Sequence, residues 1–244
     1  MQSDCVAMVP TGDGFARREG TMSEEQSDRL LKAVQSIAIS PADARELVRR
    51  LRAQAERDRP AASARDHEER VADHIVSRYA RYAATSGGLT GLVGFIPGIG
   101  TALAMVGGSL ADIAVSMKFQ VDMCMCLAEA FGYDVREPDA QHLALLIAAG
   151  GALEKAGVES GAKVASKAGV TMLRQYLKGA ALQVIKEFFK KLGITFTRKA
   201  LEKALPFGIG ALFGAGGNFV MTRFVGAQAK KWFLLDRDMP RDQA

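Results

Sequence analysis

Asp112, Ser116 and Gln120 stand four residues apart, a spacing that lines them along one face of a helix. Asp112 is the first formal charge after thirty uncharged residues. A carboxylate at a bilayer centre costs about 2.5–3.5 kcal/mol on insertion scales, so in an apolar setting this one must meet a partner, a ligand or water. Acid–base chemistry is one use for it; pairing with a basic residue or a helix N-terminus is the simpler one. Other reactive side chains are sparse. Cys124 and Cys126 bracket one residue; on a helix their thiols diverge by about 200°, which suits two buried thiols rather than metal ligands. His67 and His74 lie on a charged helix and are expected in solvent, and His142 opens an apolar helix alone. Gly98-Ile-Gly100-Thr-Ala-Leu103 misses the dinucleotide pattern at its sixth position, and no strand precedes it. No phosphate-loop motif and no nucleophile–base–acid set can be assembled. A hydrolase using Asp112 is therefore the least supported function class, and the expectation is no enzyme, no cofactor and no metal.

The elements that would position these residues are helical. Ser23-Glu-Glu-Gln26 is a capping pattern opening a helix with Leu30, Leu31, Val34 and Ile37 on one face. Ser40-Pro41 opens a second helix, which runs to the turn before Pro60. A third runs from near Ser63 to about Tyr82, and one helical stretch is expected from Thr101 to Phe131, stopped by Gly132. Glu137-Pro138-Asp139 starts another. Residues 170–192 keep a 3.6-residue apolar period with Arg174, Lys178, Lys186, Lys190 and Lys191 interspersed. No stretch alternates as a strand would. The chain of 244 residues is expected to be all-α, a single multi-helix domain.

Two uncharged runs interrupt this pattern, thirty residues between Arg81 and Asp112 and nineteen between Lys203 and Arg223. They hold Gly91, Gly94, Gly98, Gly107 and Gly108 in the first, and Gly210, Gly214, Gly216 and Gly217 in the second. Pro97 and Pro206, like Gly107-Gly108 and Gly216-Gly217, are 109 residues apart, a degenerate repeat or two segments under one constraint. Each helical glycine costs about 1 kcal/mol relative to alanine, so close helix–helix approach is the expected compensation. The two segments are expected to pack together, with Asp112 and Asn218 joining them. Pro97-Gly98 divides the first run into halves of about 21 Å, short of the roughly 30 Å hydrocarbon core. A buried hairpin and a dipping membrane hairpin both remain open.

Charge is concentrated. Residues 151–203 carry 11 basic against 4 acidic side chains, whereas residues 1–82 balance at 14 each. The basic segment and the cluster Lys230-Lys231-Trp232 suit an anionic lipid surface. Nucleic acid is not expected, since no reading motif accompanies the basic stretch. The start of the chain lacks a secretory pattern, and three cysteines form no disulfide framework, so the cytoplasmic side of a membrane is the expected location.

Several ordered motifs resemble the EcsC protein family. They are Gly-Phe-Ile-Pro97-Gly98, Gly107-Gly108-Ser-Leu-Ala-Asp112, Lys118-Phe-Gln120, and Phe131-Gly132-Tyr133-Asp134 with Glu137-Pro138-Asp139. Ala204-Leu-Pro206-Phe, Gly216-Gly217-Asn218-Phe and Thr222-Arg223 to Lys231-Trp-Phe233 complete the series over about residues 60–235. The resemblance implies an α-helical bacterial protein whose founding relative is encoded beside an ABC transporter. It implies no defined activity and no catalytic residues, and it marks Asp112, Gln120, Tyr133, Asp134 and Asn218 as the polar positions of interest. The domain reading is a disordered lead at 1–22, accessory helices at 23–60, an EcsC-like helical domain at 61–235 and a tail at 236–244. The function expected is a non-enzymatic, membrane-associated protein binding a membrane surface or a membrane protein such as an ABC transporter. The alternative is a soluble helical carrier of a lipid or other apolar ligand.

Overall fold

The computed structural model describes residues 22–85, 99–159, 162–203 and 215–240. They form helices α1 (Glu24–Ile37), α2 (Pro41–Asp58), α3 (Ala64–Thr85), α4 (Ile99–Val106), α5 (Gly108–Ala130), α6 (Pro138–Lys155), α7 (Lys167–Leu177), α8 (Ala181–Lys203) and α9 (Ala215–Asp238). No strand occurs among the described residues. The chain is all-α.

Local signals set most boundaries. Ser23 and Gln26 close a reciprocal capping box on α1. Ser40 caps α2 through the Asp43 N–H, with Pro41 in the first turn. Gly132, at φ +89°, ends α5, and the Tyr133 N–H reaches back to the Ala128 carbonyl at 2.9 Å.

Two helices expected to be continuous are broken. Gly107, at φ +70°, separates α4 from α5. The 170–192 stretch turns at Lys178–Ala180, where Gly179 and Ala180 both donate to the Tyr176 carbonyl.

Helices α5 and α6 form the centre. α6 is buried all round from Leu143 to Leu153, and α5 nearly so from Ile113 to Ala128. The others surround them: α1, α2, α3 and α9 lie against α5, while α7, α8 and α9 lie against α6. The helices at 23–60 share this core. Leu30, Val34, Ala44 and Val48 belong to the same apolar cluster as Leu146 and Phe189.

Chain direction follows from three cross-links between α3 and α9. Glu68 meets Arg237, Asp73 meets Lys230, and Ser77 meets Arg223, so the two helices are antiparallel. Tyr79 meets Cys126 and Tyr82 lies near Phe119, so α3 and α5 are antiparallel too. α5 and α9 therefore run side by side in the same direction. The end of α3 and the starts of α5 and α9 share one end of the bundle, where both uncharged runs join the described helices. The expected packing of these runs involves Gly91, Gly94, Gly98, Gly210 and Gly214, which lie outside the described residues.

Candidate functional site

Polar side chains enter the core on two faces of α5. On one, Lys118 and Asp122 are an ion pair one turn apart, with overall exposures of only 7% and 3%. The second carboxylate oxygen of Asp122 accepts the Ile39 N–H at 2.7 Å. That donor lies in the link between α1 and α2, so the pair ties the N-terminal helices to the central one. Burial pushes the Asp122 carboxyl upward, while Lys118 and the Ile39 N–H oppose it. Sequence reasoning passed over this pair. Its signal was present: Lys118 and Asp122 are the only charges between Asp112 and Glu129, spaced i and i+4.

The other face carries Ser116 and Gln120 towards α9. Ser116 Oγ donates to Asn218 Oδ1 and accepts from Gln120 Nε2, both at 3.4 Å. Gly226 sits against Met123 two turns further along α9, so Thr222, midway, faces α5 beside Gln120. Gln120 Oε1 and Thr222 Oγ1 are enclosed without a hydrogen-bond partner. An unsatisfied buried group of this kind costs about 1–3 kcal/mol. This seam is polar and incompletely bonded.

Other expected residues fall into different places. Asp112 is exposed, so water meets its charge, and Ser116 rather than Asp112 contacts Asn218. Tyr133 donates to Asp236, which Arg174 Nε also holds at 2.7 Å, while Arg174 bonds the Asp236, Met239 and Pro240 carbonyls. This cluster closes the C-terminal end of α9. Asp134 is half-buried, and Arg136 beside it holds its carboxyl well below the usual range. His67 is not simply solvated, since its Nε2 lies 2.8 Å from the Arg59 carbonyl. Cys124 and Cys126 are buried free thiols. Desolvation raises both, Cys126 to about 12, and the neighbouring Tyr79 hydroxyl rises for the same reason. They are unreactive at neutral pH.

Two expectations need correction. Trp232 is no interface anchor: it is 1% exposed and packs at right angles to Phe233 inside an aromatic cluster with Tyr133. The period set by Val225, Ala229, Trp232 and Phe233 turns it inward, whatever its lysine neighbours. Nor do Gly107 and Gly216 serve close packing. A Cβ at Gly107 or Gly216 would meet open space, whereas one at Gly226 would come within 2.7 Å of Val76, one at Gly150 within 3.0 Å of Val164, and one at Gly151 within 3.4 Å of Val225.

Among the lysines, Lys186 pairs with Asp28 at 3.2 Å and Lys230 with Asp73, while Lys178, Lys191 and Lys231 are exposed and Lys190 is half-buried. Two open clefts lie along α3. One is lined by Arg59, Asp66, Glu69, Arg70 and His74; the other, of about 280 Å³, lies between α3 and α9. Tyr82, Met105, Phe219 and Val220 are exposed at the bundle end that both uncharged runs adjoin. Arg78 stands 5.1 Å from the centre of the Tyr82 ring, and Arg81 is exposed beside it. Among the described residues, no group of acids, histidines and cysteines is placed to hold a metal, and no helix is long and apolar enough to cross a membrane.

No curated protein and no solved structure matches the chain. The family model described as "EcsC protein family" matches residues 17–235. It begins before α1, and so takes in the helices that the motifs alone left outside the resemblance, and it reaches the last turn of α9. The chain belongs to the EcsC protein family.

Proposed function

We propose that the protein is non-enzymatic and associates peripherally with an anionic membrane surface through the bundle end formed by α3, α4, α5 and α9. The observation that carries this reading is the set of exposed apolar side chains there, Tyr82, Met105, Phe219 and Val220, with Arg78 and Arg81 beside them. Apolar side chains gathered at one end, bordered by cations, suit partial burial at the headgroup boundary. Each arginine near an anionic leaflet adds about 1 kcal/mol. The expected location is the inner face of the cell membrane, where a membrane protein such as an ABC transporter would be within reach. The carrier reading has less support, because both described clefts are open and bordered by charged side chains.

Co-sedimentation tests this directly. Binding is expected to vesicles containing phosphatidylglycerol and not to phosphatidylcholine alone, and it should fall as salt rises. Changing Phe219→Glu with Val220→Glu, both on the surface, should weaken binding at least about tenfold. Protein that stays in the supernatant with both vesicles would refute the reading.

A further inference from the structure

The cleft between α3 and α9 has a division of character that exposure alone would not produce. Its apolar lining comes from Val76 on α3 and Ala227 and Leu234 on α9. Its border is basic, from Arg223 at one end and Lys230 with Lys231 at the other, against a single acid, Asp73. Asp73 is committed to Lys230. That leaves one uncompensated cation at each end. Arg223 lends Nη1 to Ser77 at 3.4 Å, and Lys231 has no acidic partner among the described residues. Seven to eight residues of helix separate the two ends, about 10–12 Å along the axis. The Arg223 end lies one turn from the exposed Phe219 and Val220.

We propose that this cleft is a headgroup site for a lipid carrying two phosphates joined by a short polar linker. One phosphate sits against the Arg223 guanidinium, whose planar donors match phosphate oxygens, and the other against Lys231. The linker and first methylenes lie over Val76, Ala227 and Leu234. A headgroup with one phosphate reaches only one cation. The acyl chains leave towards Phe219 and Val220, so the inference rests on the membrane reading above for its orientation. The cleft also makes a prediction independent of that reading, because a soluble headgroup needs no bilayer.

The test has two arms. The first uses phosphatidylcholine vesicles matched for total negative charge, one set containing phosphatidylglycerol and the other diphosphatidylglycerol. Matching removes surface potential as a cause of any difference. About tenfold tighter binding to the two-phosphate vesicles is expected, and Arg223→Gln with Lys231→Gln should bring the two kinds of vesicle to the same level. The second arm titrates full-length protein with bis(glycerophospho)glycerol, the deacylated headgroup, following backbone and side-chain resonances. Shifts should centre on Arg223, Ala227 and Lys231 and vanish in the double variant, whose unaltered far-ultraviolet dichroism and melting show that the fold is kept. Vesicle binding without preference, together with no response to the soluble headgroup, overturns the site and leaves the membrane reading intact. A response to the soluble headgroup without vesicle binding upholds the site and overturns the membrane reading. No response in either arm overturns both.

Discussion

The two polar faces of α5 are built from the same helix, yet they differ in completeness. Lys118 and Asp122 neutralise each other, and Asp122 spends its remaining oxygen on the Ile39 N–H. Ser116, Gln120, Asn218 and Thr222 make a seam with two weak bonds and two atoms that find no partner. The first arrangement reaches back 83 residues to hold the α1–α2 link in place. The second lies towards the bundle end that carries the exposed apolar side chains. Complete bonding at one face makes removal of a partner expensive; incomplete bonding at the other makes removal of the polarity nearly free. The same chemistry thus has opposite consequences for stability.

Breaking the complete face should have the largest effect. Asp122→Ala leaves the Lys118 ammonium buried without its carboxylate, and urea unfolding should show a loss of about 3–5 kcal/mol. Replacing both, as Lys118→Met with Asp122→Leu, should recover most of that loss, because a buried ion pair is often matched by apolar residues of similar volume. A loss for Asp122→Ala no greater than at a surface position would remove the distinction.

A smaller loss is expected where the seam gives way to backbone contact. Gly226→Ala drives a methyl into the Val76 side chain, whose carbons lie 2.7 and 2.8 Å from the built Cβ. The expected cost is about 1–3 kcal/mol, measurable by thermal melting.

The incomplete face should respond with the other sign. Gln120→Leu and Thr222→Val remove the two orphaned atoms, and each should leave stability unchanged or raise it by up to about 1 kcal/mol. A substantial loss in either variant would show that these atoms are bonded after all.

Asp134 with the exposed Arg136 supplies a surface pair as a reference, with the smallest effect. Arg136 depresses its carboxyl, so the folded state favours the ionised form. Its contribution is present above the unfolded value near 3.9 and is lost as pH falls through the lower folded value. Asp134→Asn should slightly flatten the acid limb of a stability–pH profile and leave neutral stability almost unaltered, since exposed pairs contribute little.

Features that depend on a few neighbouring residues were legible in the sequence. The Ser23 capping box, the Ser40-Pro41 start and the Gly132 stop each need only local backbone geometry, and each occurs where the residues indicate. The Gly107 break was harder, because glycine is compatible with continuing a helix as well as ending one. Within the site, the Ser116–Gln120 face was legible from spacing, but its partners were not. Asn218 was expected to act with Asp112, and only the parallel alignment of α5 and α9 sets it against Ser116. Trp232 beside two lysines carried a surface signal that its inward rotation overrode. Glycines concentrated in the uncharged runs carried the packing signal, while the described close approaches include Gly150, Gly151, Gly169, Gly193 and Gly226, all outside those runs.

By itself, the order of residues determined an all-α chain, most of its helix boundaries and its kinship with the EcsC family, because hydrophobic period, caps and motif order are properties of a linear string. Tertiary structure alone decided which polar atoms are satisfied, which glycines touch a neighbour, and that Arg223 and Lys231 border one cleft with Val76. Those outcomes depend on the rotation and direction of helices far apart in the chain, and close packing resolves them only when every neighbour is in place.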